Sequence, residues 1–338
     1  MNQFNLNIQR FLYSTRYLTI YKLLNCLNVI VSYLFSHLKI NVHHNIYPLF
    51  ISIETTNYCN LRCPECPVGS NIISKKDKSS FNIDLYKKLI EELKPTLLHV
   101  ILYFQGEPFL NNHFIELIKQ THVSKIYSST STNGQFLNDT MAREIVLSGL
   151  DKLIVSIDGS TQEIYENYRV GGKIQNALDG IKSVIEWKKA LKSFTPLVEI
   201  QFLVLKTNEH QMNEMKKLAK SLKADRLTFK SAQLYDFENG NDLLTTKRLY
   251  TRYIKTKEGK YKIKGRKSNR CWRLWSGAVI NVHGEVLPCC FDKSSDHTFG
   301  NLEDETFLSC WQSKNANYFR NKIISNRKQI EICNNCTN

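Results

Sequence analysis

Between residues 50 and 230 the chain alternates short apolar runs with longer stretches in which apolar residues recur every three to four positions. The runs at 49–53, 97–104, 125–130, 152–157, 198–205 and 227–230 predict strands. The stretches at 83–93, 112–120, 139–147, 174–189 and 209–222 predict amphipathic helices. Six strands separated by helices predict a parallel α/β sheet, either doubly wound or a partial barrel. In both arrangements function sits at the carboxyl ends of the strands.

The alternation fails on either side of this region. Residues 1–48 hold no acidic side chain but many aromatic and aliphatic ones, together with Arg10, Arg16, Lys22 and Lys39. Lys22, Asn25, Asn28 and Ser32 interrupt the apolar residues between 17 and 35, so no run reaches the ~18 residues of a spanning helix. Two readings stay open: an amphipathic helix on a membrane or partner surface, or a helix packed over the end of the main domain. Residues 231–270 are polar, with the turn cluster Asn239-Gly240-Asn241-Asp242, and read as a linker with one helix around 243–253. Residues 271–338 carry six of the ten cysteines. The expected organisation is thus a leader (1–48), a core (49–230), a linker (231–270) and a cysteine-rich module (271–338).

Composition narrows the class without naming it. With 42% hydrophobic and 23% charged residues, the chain is an ordinary globular protein. No cleavable signal opens it, and cysteines three and two residues apart favour metal over disulfides, so a reducing cytoplasm is the expected compartment. The net charge of +15 suggests nucleic acid, an anionic surface or an anionic substrate. Seven metal-bound thiolates on two clusters would lower it only to roughly +12. Many of the lysines lie on helix faces open to solvent, as at Lys216, Lys217, Lys220 and Lys223, whereas the strip 255–270 is denser. The nine histidines offer no metal-ligand spacing, and no phosphate-binding glycine loop or nucleophile elbow occurs.

Chemistry concentrates in Cys59-x3-Cys63-x2-Cys66, directly after the first predicted strand. Three thiols can hold an iron-sulfur cluster and leave one iron without a protein ligand, since full ligation takes four. An open position of this kind separates a reactive metal site from a structural one. Gly106-Glu107-Pro108 follows the second strand, Thr132-Asn133-Gly134 the third, and Ser156-Ile157-Asp158-Gly159 the fourth; Tyr165-x3-Arg169-x-Gly171-Gly172 comes next. Each alone is an ordinary turn or surface element. Their order and shared position resemble the radical S-adenosylmethionine (SAM) superfamily.

That resemblance implies a partial (β/α)6 TIM-like barrel. Cys59, Cys63 and Cys66 would hold a 4Fe-4S cluster whose open iron binds SAM, and one electron would release a 5'-deoxyadenosyl radical that takes a substrate hydrogen. It also implies SAM contacts from Gly106, Glu107 and Pro108 to the amino group, from Asn133 and Ser156, from Asp158 to ribose or to its own loop, and from Arg169 to the carboxylate. A flavodoxin- or ferredoxin-type reductant would supply the electron. Many members carry an aromatic residue before the third cysteine; here it is Glu65, so adenine packing is altered or supplied elsewhere.

Cys271, Gly284-x4-Cys289 and Cys333-x2-Cys336 form a second set resembling the SPASM and Twitch modules. With no further cysteines up to Asn338, one auxiliary 4Fe-4S cluster on Cys271, Cys289, Cys333 and Cys336 is expected, with Cys290 able to replace Cys289. Cys310 and Cys26 read as small buried hydrophobes. The expected reaction is a two-electron oxidation of a sugar-like substrate, with peptide or protein side-chain modification as the alternative within the class. A rival of another class is a basic zinc protein that binds nucleic acid, with salt-sensitive affinity; it ranks below because no RNA-reading aromatic cluster is evident. The leader adds a possible peripheral membrane contact.

Overall fold

The computed structural model describes residues 15–38, 46–70, 78–265 and 268–337. Strands β1 (Phe50–Ile53), β2 (His99–Ile101), β3 (Tyr127–Thr132), β4 (Lys152–Ser156), β5 (Leu197–Val204) and β6 (Arg226–Ser231) are parallel and lie side by side in chain order. Helix α1 (Ile20–His37) precedes them. Between successive strands run α2 (Ile83–Leu93), α3 (Phe114–Val123), α4 (Asp139–Leu147), the pair α5 (Gln162–Glu166) and α6 (Ile174–Ala190), and α7 (Met212–Ser221). This is a partial (β/α)6 barrel. Apolar strand residues such as Ile51, Val100, Leu153 and Val198 are fully buried, as a sheet flanked by crossover helices requires. Asn82 and Asn138 start α2 and α4 by accepting bonds from the first-turn amides Asp84 N (2.8 Å) and Met141 N (2.9 Å).

β3 begins at Tyr127, later than its apolar pattern predicts, and reads Tyr-Ser-Ser-Thr-Ser-Thr. Hydroxyls can be buried there because each finds a partner, as with Thr130 Oγ1 on Leu102 O (3.0 Å) and Ser128 Oγ on Asp151 Oδ2 (3.3 Å).

Residues 243–253 form turns and no helix, contrary to the sequence expectation. They lead into a two-stranded antiparallel ribbon, β7 (Tyr253–Lys255) with β8 (Tyr261–Ile263). Leu243 and Leu244 pack here as a tertiary patch and not as one face of a helix. Beyond lie α8 (Trp272–Ser276), β9 (Gly277–Ile280), β10 (Glu285–Leu287), β11 (Gly300–Asn301), α9 (Phe307–Trp311) and α10 (Lys314–Asn326).

β9 runs parallel to β1 along its otherwise open edge, with Gly277 opposite Phe50, and β10 and β11 continue the sheet antiparallel. The cysteine-rich segment therefore extends the barrel sheet to nine strands, and Phe307, Trp311 and Ile323 belong to the same core as Ile51 and Val100. A Cβ at Gly277 would stand 2.3 Å from the Phe50 ring, which accounts for glycine at that crossing.

α1 packs over the amino ends of the strands. Lys22 Nζ donates to Lys125 O (2.7 Å), Arg16 meets Asp151 (2.7 Å), and Asn25 exchanges two bonds with the Tyr47 backbone. Burial pushes the Asp151 carboxyl up to about 6, against its bonds to Ser128 and the nearby Arg16 cation. A raised acid binds a proton more tightly in the folded state, so its contribution to stability falls as pH rises from about 4 to 6. Of the leader, residues 1–14 and 39–45 lie outside the described residues, Arg10 and Lys39 among them.

Candidate active site

The chain leaves β1 and turns through the three cysteines at the carboxyl end of the sheet. Gly69 closes this turn: a Cβ there would stand 2.6 Å from Cys63 N and 2.8 Å from its carbonyl oxygen, so only glycine lets residues 63–70 fold back on themselves. Leu61 N lies 3.4 Å from Cys59 Sγ, and Arg62 N donates to Val170 O (3.0 Å), fastening the loop to the segment after α5. Cys63 and Leu61 are buried with Tyr168, Leu205, Leu234 and Tyr253 in a second, smaller core over the strand ends.

Gly106 has a φ of +74°, and a Cβ on it would meet Thr56 O at 2.3 Å. Glycine thus allows the loop after β2 to touch the chain entering the cysteine turn, where Glu107 N donates to Tyr58 O (2.9 Å). Pro108 opens a short 3-10 turn capped by Glu107. The Glu107 carboxylate is buried and accepts from Thr132 Oγ1 (2.6 Å), Asn133 N (2.8 Å) and Phe109 N (3.3 Å). Burial pushes it up to about 7 despite those donors. It therefore braces the loop after β3, a duty its sequence motif does not announce.

That bracing aims Asn133, whose Nδ2 lies 2.8 Å from Asn60 Oδ1 and 3.7 Å from Cys59 Sγ. Gln135, in the same loop, reaches Tyr165 OH (3.2 Å) and Lys173 O (3.0 Å). Asp158 is fully buried and binds Arg169 Nε (2.6 Å) and Leu203 N (2.6 Å). Both carboxylate oxygens are thus engaged, one in orienting Arg169 and the other in holding β5. Arg169 Nη1 lies 3.8 Å from Cys63 Sγ. Ser156 ends β4 and is buried. Because Val155 faces Gly134 and Ala177 of α6, strand alternation turns Ser156 toward the barrel interior. Contacts thus join Cys59, Asn133 and Glu107 in one chain and Cys63, Arg169 and Asp158 in another.

Glu65 has a duty of its own. Its two oxygens accept from Tyr235 N (2.9 Å) and Asn241 Nδ2 (2.9 Å), latching the cysteine loop to the segment after β6. This brings the Tyr235 ring next to Cys66 and Glu65, whose charges add to burial in raising the phenol. Glu65→Ala should loosen that segment, since a bond to a charged group contributes ~1.5–3 kcal/mol. Hydrogen exchange at the Tyr235 amide should accelerate while that at β5 amides stays slow; unchanged exchange at Tyr235 would remove the latch.

The C-terminal thiols converge separately. Cys271, Cys289, Cys333 and Cys336 line one narrow cavity with Phe319, Ile323 and Arg327. Cys290 faces away: its Sγ accepts from Arg273 Nη1 (2.7 Å), beside a different cavity lined by Phe50, Ser52 and Tyr103. Cys310 is fully buried in the main core, and Cys26 sits half-buried on α1.

Arg327, buried behind the thiols, was not singled out from sequence. Its Nη2 lies 3.1 Å from Cys336 Sγ and its Nη1 donates to Arg270 O (2.8 Å). Burial opposes its charge, but Cys333, Cys336 and Cys271 outweigh this and hold its pKa above the ordinary arginine range. Its position, six residues before a Cys-x2-Cys pair, offered no periodic or motif signal.

Comparison with known proteins decides the family. Residues 53–222, half of the chain, match the radical SAM superfamily, and residues 271–337 match SPASM, an iron-sulfur cluster-binding domain. The chain belongs to the radical SAM superfamily. As a radical SAM protein with a SPASM domain it uses SAM, a 4Fe-4S cluster and an auxiliary iron-sulfur cluster. A tungsten-containing aldehyde ferredoxin oxidoreductase cofactor-modifying protein of Pyrococcus furiosus is 22% identical over 316 residues, covering 85% of this chain and 87% of its own. A PqqA peptide cyclase of Bradyrhizobium diazoefficiens is 25% identical over 262 residues, covering 72% and 66%. Among solved structures, SuiB of Streptococcus suis bound to its precursor peptide SuiA aligns with a TM-score of 0.64 at 15% identity, covering 93% and 74%. BtrN in complex with AdoMet and 2-DOIA aligns at 0.53 and 19% identity, covering 87% and 95%. At these identities the structures share the fold.

The thiols of this radical SAM protein fit clusters by their chemistry. Guanidinium groups buried beside Cys63 and Cys336 suit the negative charge that thiolate-bound clusters carry. The radical SAM match over residues 53–222 and the iron-sulfur cluster-binding match over residues 271–337 favour iron and sulfur over the zinc rival.

Proposed function

We propose that this radical SAM enzyme modifies a side chain of a peptide or protein, with Cys59, Cys63 and Cys66 holding the SAM-binding cluster and Cys271, Cys289, Cys333 and Cys336 the auxiliary one. The observation that carries this reading is an open groove of about 1240 Å³ between the β7–β8 ribbon and the C-terminal turns. Small-molecule sites usually occupy ~300–1,000 Å³. Tyr235, latched to the cysteine turn, stands at one part of the groove, and Phe291 and Ile332 line both the groove and the auxiliary-cysteine cavity. The groove thus runs from the Glu65–Tyr235 latch to the wall of the auxiliary-cysteine cavity.

The backbone bonds Lys264 N to Arg252 O and Thr256 N to Lys260 O set the ribbon register. By alternation, Ile263 turns its amide and carbonyl away from β7, on the edge where the Tyr261 amide already donates to Glu238 O (2.8 Å), so an extended peptide would join beyond that bond. The named relatives add support, since one is a peptide cyclase and one aligned structure holds a precursor peptide. Oxidation of a sugar-like substrate, favoured by sequence reasoning, draws support from the BtrN likeness alone, and that likeness is one of fold.

With electrons from a flavodoxin- or ferredoxin-type donor, the cluster and SAM together supply a 5'-deoxyadenosyl radical for hydrogen abstraction. In this reading Arg169, held by Asp158, binds the SAM carboxylate; the loop at Gly106–Pro108, with Glu107 beneath it, receives the amino group; Asn133 and Ser156 contribute polar contacts. Tyr235 takes the aromatic place that Glu65 leaves vacant next to Cys66.

The test follows deuterium from labelled cell extract into 5'-deoxyadenosine. Label should come from the peptide fraction and vanish after protease treatment of the extract. Label arising from the protease-resistant small-molecule fraction would restore the sugar reading. For the auxiliary assignment, Cys289→Ser should lose about four irons while Cys290→Ser keeps them. Arg327→Met should lower retention of that cluster about 10–100-fold in a chelator challenge.

A further inference from the structure

α1 has its faces reversed relative to an ordinary surface helix. Its buried positions are Lys22, Asn25, Val29, Ser32 and Ser36, four of them polar. Ile20, Leu24, Leu27, Val31, Leu34 and Leu38 form a stripe on the outer side, each between 44% and 67% exposed. Leu23 and Ile30 widen it on one flank, and Tyr21 and Phe35 on the other. At ~100° per residue the apolar arc covers about 180° of the helix, interrupted by exposed Asn28 on the Tyr21 and Phe35 flank, and is broader than a two-helix seam. Monomers rarely leave such a face to water. The helix is nevertheless too polar to span a bilayer, and no helix among the described residues is long and apolar enough to do so.

The surroundings of α1 share its character. In a parallel sheet all the turns leading into strands lie at one end, and α1, with Arg16 just before it, covers that end through Lys125, Asp151 and the α8 tryptophans Trp272 and Trp275. Exposed Val123, Leu147 and Leu191 end helices there, and Trp272 packs on Tyr33 of α1 with part of its ring open. Lys125, Lys192 and Lys223 follow α3, α6 and α7 in left-handed conformation (φ 54°, 51° and 56°), where glycine would be less strained. All three are exposed. The helix dipole accounts for a cation near each of these ends, but not for the bare apolar residues beside them.

We propose that this amino-terminal face of the barrel, centred on α1, docks the protein onto an anionic lipid bilayer, with the apolar arc in the interface plane and the lysines among the headgroups. A second copy fits the face poorly, because two-fold pairing would set like charges against one another. The cysteine turn opens at the opposite end of the barrel, so the docked enzyme meets its substrate from the aqueous side. A lipid-linked substrate in the same bilayer is out of reach of the site.

The experiment is co-sedimentation of the iron-loaded, full-length chain with vesicles of phosphatidylcholine alone or mixed equally with phosphatidylglycerol. Wild type should sediment with the mixed vesicles and only weakly with phosphatidylcholine. The double variant Leu27→Glu/Leu34→Glu should bind at least ~10-fold more weakly, since two leucine side chains leave the interface. It should still release 5'-deoxyadenosine at the wild-type rate. Lys125→Glu/Lys192→Glu/Lys223→Glu should lose the preference for phosphatidylglycerol. Undiminished sedimentation of the leucine variant would overturn the proposal. So would a wild-type dimer in light scattering that the leucine substitutions split, with no vesicle binding. Vesicle binding that emerges only after removal of residues 1–14 would assign the face to that segment instead.

Discussion

Replacing Cys63 by Ala is expected to reduce 5'-deoxyadenosine formation to the level without enzyme and to lower bound iron from about eight to about four per chain, one 4Fe-4S cluster having been lost. Cys63 is the buried member of the triplet, packed against Tyr168 and Leu205 and facing Arg169. The auxiliary set lies in a cavity with no wall residue from the triplet, so its cluster should survive. Anaerobic iron determination and chromatographic quantitation of 5'-deoxyadenosine read the two effects independently. Undiminished product would sink the cluster assignment; loss of all eight irons would mean that the two sites are not separate.

The largest stability effect is expected from Asp158→Asn. Asp158 is fully buried, with one oxygen on Arg169 and the other on the Leu203 amide. Asparagine can still accept from Leu203, but Arg169 then loses its counter-charge in a largely buried position. Removing one partner of a buried pair costs about 3–5 kcal/mol, because the other charge remains desolvated. The change should appear as a lower urea midpoint with unaltered slope. The double variant Asp158→Asn/Arg169→Met should recover part of the stability while SAM affinity stays low. If the single variant unfolds at the wild-type midpoint, this pair is not a brace of the site.

Local pattern carried much of the architecture. α2 and α4 have the bounds that apolar periodicity predicts, because an asparagine cap and one apolar stripe settle each within a dozen residues. The six parallel strands likewise follow from their alternation with helices. The triplet and the ordered motifs were legible because metal and sulfonium chemistry needs particular side chains at short spacings.

What local pattern could not convey depends on partners distant in sequence. β3 is polar and begins later than its pattern predicts; its hydroxyls are satisfied by His99, Leu102, Asp151 and Glu107, all distant in sequence. The 243–253 stretch lacks the helix suggested for it because its leucines are used by the patch under the cysteine turn. Glu65 looked like a mismatch to its family until Tyr235 and Asn241 supplied its partners.

By itself, then, the sequence determined a parallel α/β sheet and, through its ordered motifs, the family and with it the barrel, all of which reside in spacings of a few residues or in strand–helix alternation; it also supplied the candidate cluster cysteines. Tertiary structure alone decided that β9 completes the edge of β1, that Cys289 and not Cys290 joins the second thiol cavity, and that Arg327 backs it. It also decided that α1 turns its polar side inward, because Lys125 and Tyr47 offer that side hydrogen bonds which its apolar side could not use. Hydrophobic periodicity shows that a helix has two faces; only the groups opposite it determine which one is buried.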